Sequence, residues 1–577
     1  MGDYGATEKP TMTSPSQRRR PSFKPPSVTA AFLTFIGITL IFRFATLPSG
    51  AFDLPSLDEL SLFSPFASSH TANPPQVDVS RILKHLRIFD RLVAYHGGNR
   101  HASGTGYETS AKYVEHVLGL DSCDVLERQQ FDAPFWKQLA PATVSIVVGN
   151  PKTRENKWDE AIVHLEEGRD FELIHGPSAR WVNASVAPLE GLGCKLVRKL
   201  MMNLPGYEVW DRIIVVERPS LEFMKGRGRG GGDDTAFGCS LNDVVHAGFT
   251  YGAKGLIITN AEKDGAGLWP MKGMQDVEWK DSGVDRLPKL PVLSTSYAVG
   301  QILRNDGLIS LDSSTSLNVI KTFNLLCTWE PPSTTSSNAT ETLVIGAHLD
   351  SVEAGPGVVD NASGSATTLE WLLALKKAGW WTKGGQGNTT EKVLPEERRI
   401  VWAWWGAEEL GLVGSQYFAS NSVGPLNVVA AINVDMIASP NGVPRVVNAS
   451  SAPIDAVIAP SQKIQKRFET EFRLVKESWE RADSGMFNSD DWSFLEVGVP
   501  TGGLLNGASK LKTQSQREVY GGIAHAQFDP CWHRSCDTFG NVNVSLLKLM
   551  SRVGFNTVQY LAKKKDLKSW LWNGLNN

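Results

Sequence analysis

Positive charge is in short supply in this chain. Across 577 residues, 58 Lys and Arg are outweighed by 61 Asp and Glu, for a formal net charge of -3. No long basic stripe offsets that balance, which argues against nucleic acid as a partner. Cysteine is sparse as well: the six present can brace a fold with disulfides but cannot build one. No internal repeat is evident. The glycine-rich stretch "KGRGRGGGDD", Lys225 to Asp234, lacks the Gly-Lys-Ser/Thr ending and the following helix of a phosphate loop, so it reads as a solvent loop. Long apolar runs are scarce as well. The uncharged run "SVTAAFLTFIGITLIF", Ser27 to Phe42, is short for a membrane span unless it continues past Arg43 to Leu47.

What is present is ordinary globular material, with 41% apolar and 21% charged residues, and a length that allows more than one domain. Arg18, Arg19, Arg20 and Lys24 precede the N-terminal apolar run. A basic-then-apolar pair is a membrane anchor or a secretory signal peptide. The long polar tail favours a single-pass signal-anchor with the tail in the cytosol and the remainder of the chain lumenal or extracellular; secretion after cleavage is the alternative. Both readings put the bulk of the protein in the secretory pathway. The sequons at Asn183, Asn338, Asn388, Asn448 and Asn543 fit a glycoprotein of that compartment.

The chain divides into a basic tail (1–27), the anchor or signal segment (28–47), a Pro- and Ser-rich linker (48–79), a first α/β part (80–164), an inserted smaller α/β block (165–309) and a second α/β part (310–577). In the last part, "TLVIGA", "RIVWAWWGA" and "VVAAINV" read as strands, and "SGSATTLEWLLALKKAG" and "APIDAVIAPSQKIQKRFETEF" as helices. The expected fold is α/β, with a mixed, mostly parallel central sheet flanked by helices.

Each of those three strands ends in a residue able to hold a metal. The first ends in His348, with Asp350 two positions on; the second in Glu408 and Glu409; the third in Asp435. Ligands in open α/β sheets sit outside the carboxyl ends of the strands. Between the first two strands, "GPGVVDNASGSA" puts Asp360 just before a helix. Taken singly, Asp360 reads as a helix cap, His348 as a core histidine and the glutamates as a helix start. Their joint occurrence at successive strand ends favours a site. Two adjacent acids such as Glu408 and Glu409 repel each other unless one is neutral or a cation stabilises them.

Five ordered segments, "IGAHLDSV", "GVVDNASGSA", "WWGAEELGLVGS", "INVDMI" and "FDPCWHRSCDT", resemble the signature of the di-zinc M28 peptidases, and of the aminopeptidase Y type in particular. The likeness runs from about residue 80 to the C-terminus, and the insert resembles a protease-associated domain. The resemblance implies a zinc-exopeptidase fold and two zinc ions. His348 and Asp435 would hold one zinc, Glu409 and His533 the other, and Asp360 would bridge them. Glu408 would be the general base, and Asp350 would accept a hydrogen bond from the second nitrogen of His348. It also implies a Cys531–Cys536 disulfide around His533; thiolate metal binding is the competing reading of that pair. Many relatives carry Tyr immediately before the last His as an oxyanion donor, where this chain has Trp532; Asp491 and Trp492 stand where His or Tyr is common. The implied activity is aminopeptidase action on peptide substrates. A carboxypeptidase, a glutaminyl-cyclase-like enzyme, or a non-catalytic receptor-like ectodomain are the alternatives, and the presence of all five ligands counts against the last.

Overall fold

The computed structural model describes residues 75–573, apart from 150–159, 176–178, 191–192, 218–240, 260–289, 305–307, 332–339, 382–392, 453 and 483–488. The N-terminal tail, the anchor or signal segment, most of the linker, the loop Lys225 to Asp234, Asn338 and Asn388 therefore lie outside the described residues. No helix among the described residues is long and apolar enough to cross a membrane.

Two amphipathic helices come first: α1 (Val79–Tyr95), capped by the Asp78 side chain, and α2 (Thr105–Leu118). The α1 stripe Ile82, Leu86, Phe89 and Val93 is buried at helical spacing. Strand β1 (Val125–Gly149) follows, and it pairs along most of its length with β8 (Leu308–Trp329). Between them lie β2 (Glu160–Leu165), β3 (Phe171–His175), β4 (Ala179–Pro188), β5 (Ile213–Glu217), β6 (Gly255–Thr259) and β7 (Val292–Thr295). Strands β4 to β7 run parallel in the order β4-β5-β6-β7, and β3 closes the edge antiparallel to β7.

The far halves of β1 and β8 belong to this smaller sheet by packing. Ala142, Val144, Ile146, Ile309 and Leu311 share one apolar core with Phe171, Val186, Ile213, Val215 and Ile257. A second core, including Leu196, Val197, Ile214, Val244 and Ile258, covers its other face. The small α/β block therefore hangs on a two-stranded ribbon whose near end is part of the main sheet.

In the main sheet β9 (Glu341–His348) leads to α3 (Ser363–Lys377), β10 (Arg398–Trp405) to α4 (Val413–Leu426), and β11 (Val428–Val434) onward to β12 (Arg445–Val446) and α5 (Asp455–Val475). Then come β13 (Glu480–Arg481), β14 (Thr501–Leu505) and the C-terminal α6 (Val544–Lys563). The strand order is β13-β12-β14-β11-β9-β10-β8. Strands β14, β11, β9 and β10 are parallel, while β8 runs antiparallel to β10 and β12 antiparallel to β14. The sheet is thus mixed, with a parallel centre.

Burial on both faces explains the Trp-rich strand. Trp402 meets Trp329 edge-on and Trp404 Nε1 donates to Ser365 O at 3.1 Å, while Trp405, pointing the other way, packs on Phe418 and Phe494. Gly346 on β9 leaves room for the Trp405 indole, which any side chain there would strike.

Candidate metal centre

The three central strands deliver their last residues to one edge of the sheet. His348 ends β9, the Glu408–Glu409 pair follows β10, and Asp435 follows β11. Ala407 and Met436, at the exits of β10 and β11, have positive φ (58° and 49°), so the chain turns sharply there. Asp360 sits in the short turn before α3. Asn361 ties that turn to the end of β11: its Nδ2 donates to Val434 O at 2.8 Å and its Oδ1 accepts from Met436 N at 3.2 Å. Asn361 also begins an N-x-S/T triplet, but its side chain is fully buried and unsuited to a glycan.

His533 comes from the loop between β14 and α6 and also has positive φ (57°). In the structure Cys531 and Cys536, with Cα atoms 5.2 Å apart, are bonded across it. Asp537 locks the same loop to the Asp360 turn, accepting from Val359 N at 2.9 Å and Asp360 N at 3.0 Å. Gly355 permits this approach, since a Cβ there would run into the Arg534 carbonyl.

The side chains converge. His348 Nε2 lies 3.3 Å from Asp360 Oδ1, 3.4 Å from Asp435 Oδ1 and 3.8 Å from Glu408 Oε2. His533 Nε2 lies 3.2 Å from Asp360 Oδ2 and 3.1 Å from Glu409 Oε2. The Asp360 carboxylate thus turns one oxygen to each histidine. Donor atoms of His348, Glu408 and Asp435 fall within 4.8 Å of one another, as do those of His348, Asp360 and Glu409.

Several of these atoms are buried without a hydrogen bond: His348 Nε2, Glu409 Oε1 and Oε2, and Asp435 Oδ1. Leaving such groups buried and unmet costs several kcal/mol each, so the donor set fits bound cations. The electrostatics agree. Burial, with the charges of Glu409, Asp490 and Asp435, pushes the Glu408 carboxyl well above the usual carboxylate range. Burial opposes charge on both histidines, yet Glu408 and Asp435 lift His348 well above its usual value, and Glu409 and Asp360 raise His533 to about 10. The site calls for positive charge at both histidine positions, and N/O donors of this kind suit zinc.

Asp350 stands beside His348, as expected, and takes a further part. His348 Nδ1 is nearer its backbone carbonyl (3.2 Å) than its carboxylate (3.7 Å). The carboxylate also accepts from the amides of Glu408 (3.1 Å) and Glu409 (3.3 Å). With only one residue between His348 and Asp350, the carbonyl is the closer acceptor, and the carboxylate also holds the two-acid turn. The Trp532 indole stacks on the His533 ring, centroids 3.9 Å apart. Asp491 is buried, and its carboxyl is pushed up to about 7 by burial and by Asp435.

Other supporting residues carry little sequence signal. Ser489 Oγ donates to Asp435 Oδ2 at 2.7 Å and accepts from Asn433 Nδ2 at 2.7 Å. Arg100, fully buried, donates to the carbonyls of Leu349 (2.9 Å), Gly357 (2.7 Å) and Pro356, all on the loop between His348 and Asp360. Of the glycan candidates, Asn183 is exposed on β4 and Asn448 caps a short turn by accepting from Ser450 N. Asn543 caps α6, with its Nδ2 donating to Pro440 O at 3.3 Å. Among sequence distant pairs, Cys123 and Cys327 are bonded between the α2–β1 connection and β8, a link that spacing alone does not reveal.

The profile described as Peptidase family M28 matches residues 324–558. The chain is 33% identical over 484 residues to the "Probable lipoprotein aminopeptidase LpqL" of Mycobacterium tuberculosis, covering 82% of each protein. It is 28% identical over 492 residues to an "Aminopeptidase" of Pseudomonas aeruginosa, covering 83% of this chain and 80% of that one. Among solved structures, the aminopeptidase from Aneurinibacillus sp. strain AM-1 shares the fold at a TM-score of 0.53 and 16% identity, covering 84% of this chain and 94% of its own.

Proposed function

The chain belongs to peptidase family M28, and from that premise we propose that this metallopeptidase is a di-zinc aminopeptidase that removes N-terminal residues from peptides. The observation that carries the reading is the Asp360 carboxylate, one oxygen toward each histidine, amid buried ligand atoms that have no hydrogen bond. His348 and Asp435 would hold one ion, Glu409 and His533 the other, with Asp360 between. Two zinc ions bound there supply Lewis acidity, lowering the pKa of a water and polarising the scissile carbonyl.

The protein's own part is proton handling and orientation. Glu408 takes a proton from the attacking water on its carboxylate and hands it to the leaving amine. The Asp350 carboxylate fixes the turn that points Glu408 and Glu409 in different directions. No phenolic hydroxyl stands at Trp532. Its indole lies on the His533 ring and acts as a wall that holds the imidazole in place.

The small block hung on β1 and β8 is, in this reading, a protease-associated insert that supplies no metal ligand. The Cys123–Cys327 and Cys531–Cys536 bonds support an oxidising compartment, and the lipoprotein named among the relatives supports export. We assign residues 28–47 to the membrane anchor. Treating cells with a protease from outside should then release the catalytic part.

The test of the activity is a profile of the purified protein on free and N-acetylated peptides, with and without chelator, alongside elemental analysis. Two zincs per chain and cleavage of free peptides only are expected. Equal cleavage of acetylated peptides, or release of C-terminal residues, would overturn the aminopeptidase assignment.

A further inference from the structure

Strand β8 has two edges. One pairs with β1 along nearly its whole length. The other pairs with β10 over Leu325–Trp329 and with β4 over Leu308–Ser313. Between them, residues 314–324 have no strand on that edge among the described residues. This gap opens where β10 stops being a strand. In the continuing register Phe323 stands opposite Gly406, and at Ala407 the positive φ turns the chain out of line into Glu408 and Glu409. The open edge therefore begins beside the proposed proton carrier and leads away from it.

The parity of the edge can be read from one contact. In an antiparallel strand, alternate residues turn both amide and carbonyl to the same edge. Phe323 O accepts from the Tyr107 hydroxyl at 2.5 Å on the side of Gly406. Lys321, Val319 and Leu317 share its parity, and β8 keeps an unbroken register with β1 through this stretch. Their amides and carbonyls thus face the gap. Lys321 and Val319 are both exposed, so this part of the strand is open to an added chain. An unpaired edge is a ready template for another extended chain.

We infer that the β8 edge at 317–321 binds the part of a peptide substrate that follows the scissile bond, as an added strand antiparallel to β8. This rests on the proposed aminopeptidase reading, which sets the direction. A substrate whose N-terminus lies at the metal ligands and whose chain leaves along the line of β10 runs, like β10, antiparallel to β8. At about 3.3 Å per residue, the stretch from Phe323 to Leu317 spans about 20 Å, enough for some six substrate residues. The site would accordingly favour extended oligopeptides over dipeptides, with little demand on side chains beyond the first.

The test uses zinc-loaded wild-type protein and a series of peptides from two to eight residues with a common N-terminal pair. The inference expects kcat/KM to climb with length, mainly through KM. Octapeptides N-methylated at single backbone positions should lose about fivefold to tenfold at alternate positions and almost nothing between them, the weight of one hydrogen bond. Val319→Pro removes one edge amide without touching the β1 pairing, since proline is tolerated on an open edge. It should weaken octapeptides by the same factor and leave the dipeptide unchanged. Binding of the methylated peptides to Glu408→Gln protein gives the same pattern independently of turnover. Alternating binding with no hydrolysis of any peptide would uphold the edge and sink the hydrolase. Normal hydrolysis with flat length dependence and no alternation would sink the edge and leave the hydrolase standing.

Discussion

Replacing Arg100 should loosen the metal centre although the side chain touches no proposed ligand atom. The loop from Leu349 to Gly357 joins His348 to Asp360, and the Arg100 guanidinium meets three of its carbonyls, with a fourth, Asp350 O, at 3.5 Å. Burial lowers the guanidinium pKa to about 10, with Asp537 and Asp350 opposing the shift, so it stays charged at neutral pH. In Arg100→Leu, three buried carbonyls lose their donor. At roughly 1–3 kcal/mol for each unmet group, less what water recovers, the loss is about 3–6 kcal/mol. That is a large share of the roughly 5–15 kcal/mol by which a domain is stable. Urea unfolding of the zinc-free protein should show it, and zinc retention against graded chelator should fall in parallel. Arg100→Lys separates shape from charge. Lysine keeps the charge but lacks the planar fork, so it should recover only a minor part. Wild-type stability and zinc retention in Arg100→Leu, or full recovery in Arg100→Lys, would refute the argument that a rigid fork sets the loop.

The paired acids should separate cleanly. Glu408→Gln is expected to keep two zincs by elemental analysis and lose turnover by several orders of magnitude, whereas Glu409→Ala should lose metal first; exchanged behaviour would reverse their roles. Asp360→Ala should lose both ions, because each histidine shares this one carboxylate, and two tightly held zincs in that variant would remove Asp360 from the ligand set. Cys531→Ser with Cys536→Ser should leave the unfolding midpoint nearly unchanged, since the closed loop is short, yet weaken one zinc, as seen in a two-step chelator titration. Equal retention of both ions would mean that Asp537 and the Trp532 ring suffice to hold His533.

The residues legible from sequence share a property: they end strands. His348, Glu408, Glu409 and Asp435 follow apolar runs whose β character is plain, so their gathering at one sheet edge follows from the alternation of strands and helices. Asp360 and His533 sit in turns, and there local pattern says little; ordered likeness to a family picked them out. Less visible still is what holds them. Asp537 and Ser489 lie inside recognisable segments, but their partners are backbone amides and a carboxylate brought in from far along the chain. Arg100 stands in a glycine-rich stretch with no pattern to single it out, and only the fold shows it buried against carbonyls some 250 residues away. The insert shows the same limit. Its own strands read clearly, yet the ribbon that carries it is made of two strands, β1 and β8, that also belong to the main sheet, and no composition shift marks where one sheet hands over to the other. That shared ribbon matters for function. Because β8 runs antiparallel to β10, its outer half projects past the edge where the proposed ligands gather, so the fold that positions them also leaves, among the described residues, a strand edge unpaired with any other strand beside them.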